Sequence, residues 1–444
     1  MTIIFTVIIM NSLWLNENCL PQFPSLHGEH KTDVLIIGGG LCGILCANEM
    51  KKLGVDYTLV EAERICRGTS GNTTAKITSQ HSFIYNTITK KYGSQAAEKY
   101  YTSNEKAIEE YTRLCKSIDC CFERKDNYIY TLSDEKKLED EMKALEKFGA
   151  RARLVPSASA LPFDVLGAIE FPLQAQFDPI ALVSALVPGM KIYENTRVLG
   201  FDGKYYYGRN FRITADKVIV ATHFPVFNKH GLFSMKLYQH RSYVIALKNA
   251  ARLDGMYLDE NEKGLSFRNH GQYLLLGGGS HRTGKQGGNL RELRETARRL
   301  YPESEEAFHW AAQDCMSLDG LPYIGQYSKS TPDLFVATGF NKWGMTLSMV
   351  SALILKDLIF GKINDYADIF SPSRSMLHPQ LMINGFETAV SMLTPTRPRC
   401  PHLGCALKWN KDEHSWDCSC HGSRLDKSGK VIEGPANGRS EASQ

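Results

Sequence analysis

Residues 32–63, TDVLIIGGGLCGILCANEMKKLGVDYTLVEAE, admit few folds. Residues 34–37 form an unbroken apolar run, the pattern of a strand buried on both faces. Gly38, Gly40 and Gly43 then give G-x-G-x-x-G, a helix is predicted over 41–52, and Leu59, Val60 and Glu61 end the next strand. In such a unit the first glycine makes the turn, the second lets backbone approach a pyrophosphate, and the third lets helix and strand pack closely. The helix N-terminus offers its unpaired N–H groups to the phosphates. Glu61, about 20 residues past the turn, is placed to accept hydrogen bonds from ribose hydroxyls. The glycines alone would say little. With the strand before, the helix after and the acid at its distance, they predict a dinucleotide site.

With 444 residues, 43% of them apolar, the chain is long enough for two or three domains. A formal charge of only +4 excludes the strong basic field of a nucleic-acid binder or a polybasic membrane patch. Eight of the twelve cysteines are scattered irregularly up to Cys315, which suits a reducing cytoplasm and not a disulfide framework. The opening MTIIFTVIIMNSLW is too short in apolar residues to span a bilayer and lacks a basic leader region, so we expect an unstructured leader or a start at Met10. Nothing else reaches transmembrane length without charges.

Directly after Glu61, the run ERICRGTSGNTTAKITSQHS holds a second glycine-bearing loop where a plain NAD domain would begin its next helix. ADKVIVATHFP (215–225) is a further strand ending in a bend. DLFVATGFNKWGMTLSMVSALILKDLIFG (333–361) is again strand, Gly339 turn, Gly344 and apolar helix, whose N-terminus can face an anionic flavin edge or phosphate. Together with QFDPIALVSAL (176–186), these features make residues 33–361 resemble the FAD-dependent oxidoreductases of the D-amino-acid oxidase, glycine oxidase and sarcosine oxidase group. That resemblance implies a Rossmann-like α/β FAD/NAD(P)-binding domain, split by an inserted antiparallel-sheet substrate domain. It implies FAD contacts from Thr69 and Ser70, from the backbone of Val198, and from Gly339, Gly344, Met345 and Thr346. We expect the FAD-binding segments at about 31–93, 165–225 and 310–365, and the substrate domain at about 94–164 and 226–309.

Within the insertion, residues 94–116 have helical spacing, and Ser133 is placed to cap a charged helix ending at Gly149. The glycine-rich stretch 277–284 is followed by neither a helix of the right period nor a strand with a terminal acid, so a second dinucleotide site is not expected. By position in the family pattern, Lys342 and Arg241 lead the candidates for substrate contact, with Lys76, His81, His281 and Arg282 behind them. Cations there would hold a carboxylate or stabilise an anionic reduced flavin.

The last tenth of the chain concentrates soft ligands in CPHLGCALKWNKDEHSWDCSCHGS (400–423). Zinc suits a Cys2His2 set, but zinc fingers pair their cysteines and histidines in separate halves. Here each half supplies one of each, Cys400 with His402 and Cys418 with His421, which suits a [2Fe–2S] cluster with thiolates on one iron and imidazoles on the other. The pattern C-x-H-x-G-C then C-x-C-H-G-S resembles the Rieske motif. The resemblance implies a disulfide between Cys405 and Cys420, a cluster-tuning hydrogen bond from Ser423, and a covering loop at Gly434, Pro435 and Ala436. Leu425 stands where high-potential members carry a tyrosine, so the expected potential lies below the top of the range of roughly −150 to +300 mV.

Residues 399–444 are too few for a complete Rieske domain, and 371–398 are predicted as a partly helical linker, so the small all-β cluster domain should lean on the flavin domain. The combination resembles FAD-dependent oxidoreductases fused to a Rieske module. It implies oxidation of a small amine or amino acid at FAD and single-electron transfer to the cluster and on to a one-electron partner; the alternatives are reverse flow from the Rieske centre to the flavin and a non-catalytic electron-transfer or redox-sensing flavoprotein.

Overall fold

The computed structural model describes residues 12–227, 231–285, 289–395, 398–411 and 413–437. Strand Gly28–Ile37 lies between parallel neighbours Phe211–Val220 and Tyr57–Val60, which is why its last four residues are all buried. The first sheet runs Tyr323–Ser328, Thr331–Thr338, Phe211–Val220, Gly28–Ile37, Tyr57–Val60, Ile192–Tyr193. Helices Leu41–Lys52 and Gly344–Ile359 pack together against it, both apolar over most of their surface because both are enclosed.

The second sheet runs Glu305–Ser317, Leu237–Lys248, Tyr273–Arg282, Ser266–His270, Met256–Asp259, Glu123–Thr131, Gly167–Gln176, Lys76–Ile77. It is antiparallel except for the pairing of Met256–Asp259 with Glu123–Thr131. The boundaries expected at 165 and 310 do not hold. Gly167–Gln176 and the whole of Glu305–Ser317 belong to this second sheet, because an apolar strand reads alike whichever sheet it joins. The 277–284 stretch continues strand Tyr273–Arg282, in keeping with the absence of a second nucleotide turn.

Two local expectations are corrected. The leader reading applies only to residues 1–11, which lie outside the described residues. From Ser12 the chain is structured: helix Leu13–Glu17 buries Trp14 completely, and its indole Nε1 donates to Thr73 O at 2.7 Å. The cap of helix Glu135–Glu146 is Asp134, not Ser133, since the Asp134 side chain accepts from Lys137 N. The helix predicted over 94–116 is present as Ser94–Cys115.

A third sheet of four short strands, Leu407–Asn410, Ser415–Cys418, Arg424–Leu425 and Val431–Glu433, forms the C-terminal unit. Its own core is small, chiefly Cys400, Cys405, Leu407, Cys418, Cys420 and Leu425. Helix Pro379–Leu393 precedes it. Among the described residues no helix is long and apolar enough to cross a membrane.

Candidate active site and cluster centre

The glycine turn opens a cavity of about 470 Å³ lined by Gly38, Gly40, Glu61, Thr69, Ser70 and Val198. A Cβ on Gly43 would stand 1.9 Å from Gly38 O, so helix and strand can approach only with glycine there. Glu61 Oε2 accepts from Gly39 N at 2.7 Å and Oε1 from Glu63 N at 3.0 Å, holding the carboxylate at the cavity wall. Burial raises its pKa. Ser70 Oγ accepts from Leu41 N at 2.9 Å, at the helix N-terminus that would face a pyrophosphate. Gly344 and Met345 also line the cavity. Gly339 and Thr346 do not. The Thr346 hydroxyl instead binds Thr78 N and O, both at 2.9 Å, and so joins the helix to the second sheet.

A second cavity of about 750 Å³ shares Thr69 and Met345 with the first and lies between the two sheets. Lys76, His81 and Lys342 line it. Lys76 Nζ donates to Tyr257 O at 3.1 Å and to Ser266 Oγ, and burial, with Arg268 nearby, pushes its pKa down to about 7. His81 stacks on Trp343 at 4.6 Å and is bound to Tyr100 OH and Thr78 O, so it stays neutral, its pKa pushed down to about 3 by burial. Lys342 Nζ donates to Ser280 Oγ at 2.6 Å and lies 3.7 Å from Glu262. Asp314, which the sequence reading missed, also lines this cavity, and loss of hydration lifts its carboxyl to about 6.

Arg241, His281 and Arg282 are not in this cavity. Arg241 Nε donates to Glu413 Oε1 at 2.6 Å and Nη1 to Glu433 Oε2 at 3.0 Å, both acids of the C-terminal unit. Arg424 answers from that unit, binding Glu413 and Glu433 each at 2.9 Å. Arg282 donates to Ser419 O at 3.1 Å and Cys420 O at 3.3 Å. His281 stacks on Tyr243, whose hydroxyl donates to Glu413 at 2.9 Å. The expected substrate role of Arg241 is therefore replaced by a docking role. Its positive charge is consumed by a partner distant in sequence.

The C-terminal unit presents two matching knuckles. Gly404 N donates to Cys400 O and Gly422 N to Cys418 O, both at 2.9 Å. Cys400, Cys418 and His421 are 2%, 0% and 3% exposed, and the His402 and His421 rings stand 4.9 Å apart at 85°. Two thiols and two imidazoles thus converge from the knuckle tips, a donor set that fits a [2Fe–2S] group. Both imidazoles meet the edge of Phe224, a flavin-domain residue, at 6.0 and 6.2 Å. Ser423 Oγ accepts from Ala436 N at 3.1 Å, joining the second knuckle to the covering loop. Cys405 and Cys420 are free thiols whose sulfurs lie within 4.8 Å of one another and of Cys418. The disulfide implied by the motif is not formed here.

Close hydrogen bonds join this centre to the flavin domain. Gln239 Nε2 donates to His421 O at 2.7 Å, Gln313 Nε2 donates to Gln239 Oε1 at 2.8 Å, and Thr69 Oγ1 donates to Gln313 O at 2.8 Å. The path runs from His421 on the second knuckle to the loop shared by both cavities.

A dinucleotide cavity under an inserted sheet, with a Cys/His double knuckle docked beside it, defines an FAD-dependent oxidoreductase that carries a Rieske [2Fe–2S] centre. The chain belongs to the FAD dependent oxidoreductase family, which matches residues 33–358, and the Rieske [2Fe-2S] domain matches residues 387–442. The second match begins inside helix Pro379–Leu393, upstream of the boundary expected at 399. The Rieske 2Fe-2S iron-sulfur protein YhfW of Bacillus subtilis (strain 168) is 34% identical, with 95% of each chain covered. The cytochrome b6-f complex iron-sulfur subunit of Synechococcus elongatus is 54% identical over 37 residues, 8% of this chain and 21% of that one. Among solved structures, glycine oxidase from Geobacillus kaustophilus shares the fold at TM-score 0.66 and 20% identity, over 78% of this chain and 100% of that one. L-proline dehydrogenase from P. horikoshii does so at TM-score 0.66 and 18% identity, over 78% and 98%.

Proposed function

We propose that the chain oxidises a small amine or amino acid in the 750 Å³ cavity and passes the electrons singly through the Rieske centre to a one-electron partner. The observation that carries this reading is the hydrogen-bonded path His421, Gln239, Gln313, Thr69 between the cluster ligand and the substrate-side loop. When bound, FAD takes a hydride from the carbon bearing the amine and the cluster carries one electron at a time, so a two-electron oxidation is delivered in single steps. Lys76 and Lys342, both lining the cavity, are the candidate cationic donors for a substrate carboxylate. Asp314, with a carboxyl near pH 6, takes the proton that an ammonium substrate must lose before oxidation. His81, neutral and stacked on Trp343, shapes the wall and carries no charge. The likeness to glycine oxidase and L-proline dehydrogenase supports the substrate class.

The irregular scatter of the cysteines up to Cys315 supports a reducing, cytoplasmic setting. In that setting Cys405 and Cys420 form the staple only if docking shields them from reductants. Non-reducing peptide mapping that finds both thiols free would remove the staple.

Anaerobic stopped-flow mixing with glycine, proline and a panel of secondary amines tests the whole reading. Flavin bleaching followed by the reduced-Rieske EPR signal is expected. Cluster reduction before any bleaching would reverse the direction, and no bleaching with any amine would reject the substrate class.

A further inference from the structure

We propose that the cluster domain is itself a wall of the FAD site, so that FAD and the cluster are held interdependently. This goes beyond the proposed reaction and does not depend on its substrate or direction. Facing Gly38, Glu61 and Val198 across the dinucleotide cavity are Val431, Ile432, Glu433, Gly434, Pro435 and Asn437. No dinucleotide fingerprint contains such a segment, and without it that side of the cavity would be open.

The wall is held from both directions. On the flavin side, Arg241 binds Glu433 at 3.0 Å, Gln239 Nε2 donates to Gly434 O at 3.1 Å, and Arg197 Nη1 stands 3.4 Å from Asn437 Oδ1. On the cluster side, Ala436 N donates to Ser423 Oγ, two residues past ligand His421. A change in the cage formed by Cys418, His421 and Ser423 therefore moves the loop that lines the cavity. An independent observation marks the place as built for a ligand. His223, which follows the strand beside the glycine turn with its backbone at φ 64°, lines the same cavity; its ring lies beside Gln239 and the Gln313 backbone, and its Nε2 is shielded from solvent without a well-aligned partner among the described residues. A neutral imidazole N–H there suits a phosphate or hydroxyl oxygen of the dinucleotide.

A loop that serves two ligands couples them, and the coupling factor is the same in both directions. Cluster-loaded protein should bind FAD more tightly, and FAD-loaded protein should hold its cluster longer, each by on the order of tenfold.

The full-length protein allows a direct test. Gly434 is an exposed lining residue whose Cβ would meet nothing within 4 Å, so Gly434→Phe adds bulk at the cavity rim without disturbing the sheet. With the Rieske EPR signal intact, FAD affinity measured by fluorescence on re-adding FAD to deflavinated protein should fall about tenfold or more. An intact EPR signal with FAD affinity within about twofold of the parent would overturn the proposal. The unmodified protein gives the reciprocal measurement, which does not rely on the variant folding. Cluster bleaching by an iron chelator should be several-fold faster after FAD is removed, and equal rates with and without FAD would also overturn it.

Discussion

Gln239 Nε2 lies 2.7 Å from the backbone oxygen of His421, so a strand of the flavin domain directly grips the second knuckle of the cluster domain. The same amide nitrogen reaches Gly434 O at 3.1 Å, and the side-chain oxygen accepts from Gln313. Gln239→Leu leaves both carbonyls without this donor in a buried interface, and the Gln313 amide keeps only its bond to Gly422 O at 2.8 Å. A loss of about 1–3 kcal/mol per unpaired group is the expected scale. Cluster bleaching on heating should shift to lower temperature, while flavin loss shifts less.

Two glycines set how closely the domains approach. A Cβ at Gly422 would lie 2.6 Å from Gln239 Cβ, and one at Gly284 2.5 Å from Ser419 N, with φ at +85° and +74°. Gly422→Ala and Gly284→Ala should each weaken docking by overpacking of about 1–3 kcal/mol plus the cost of a left-handed alanine, about 1–2 kcal/mol. Faster proteolysis in the segment that joins the two units, with FAD affinity falling alongside it, is the expected readout. A proteolysis rate equal to the parent would show that the interface yields freely.

Acid should release the cluster domain. Arg241 and Arg424 hold the Glu413 carboxyl down to about 2 against the cost of its burial. Its folded pKa is below the ordinary glutamate value of about 4.3, so its stabilisation is complete above that value and is lost as pH falls toward 2. Docking stability should therefore be flat between about pH 6 and 8 and decline below about 5. Glu413→Gln should weaken docking at neutral pH and flatten the acid decline, as followed by tryptophan fluorescence or cluster absorbance.

The rate of substrate-driven flavin bleaching should be bell-shaped in pH. Asp314 is ionised above about 6 and Lys76 is protonated below about 7, so both are in their working forms only in a narrow window. Asp314→Asn should slow bleaching by about 10²–10⁴-fold and abolish the acid limb. Lys76→Met should chiefly raise the substrate concentration needed and remove the alkaline limb.

At the cluster, Ser423→Ala should lower the midpoint potential, because it removes a hydroxyl that would donate a hydrogen bond to a cluster sulfur. It also deprives Ala436 N of its acceptor. A potentiometric EPR titration showing no downward shift would mean the hydroxyl serves only the covering loop.

The fingerprint, the second loop and both knuckles were legible because each is a local pattern whose chemistry is complete within about 30 residues. Arg241 and Arg282 were misread because a cation's partner is set by tertiary packing. Glu413 and Glu433 sit far along the chain from both. Gln239, Gln313 and His223 carried a weaker signal. Gln239 and Arg241 are buried polar residues at alternate positions of strand Leu237–Lys248, and Arg241 stands opposite Gln313 in register. Successive inward polar side chains in a buried strand mark an interface or a site. Asp314 was hidden the same way, as one carboxylate in a strand the sequence assigned to the other sheet. Thr346 and Gly339 fit the family spacing, yet their atoms are spent on holding a helix and a turn.

The wall at residues 431–437 also fixes an order of events in making the protein. The glycine turn emerges from the ribosome well before the wall, so an FAD captured by the nascent chain sits in a half-open groove until the cluster unit folds and docks. Completion of the flavin site thus waits on the knuckles. Cells short of iron or sulfur should accumulate this protein without flavin as well as without its cluster.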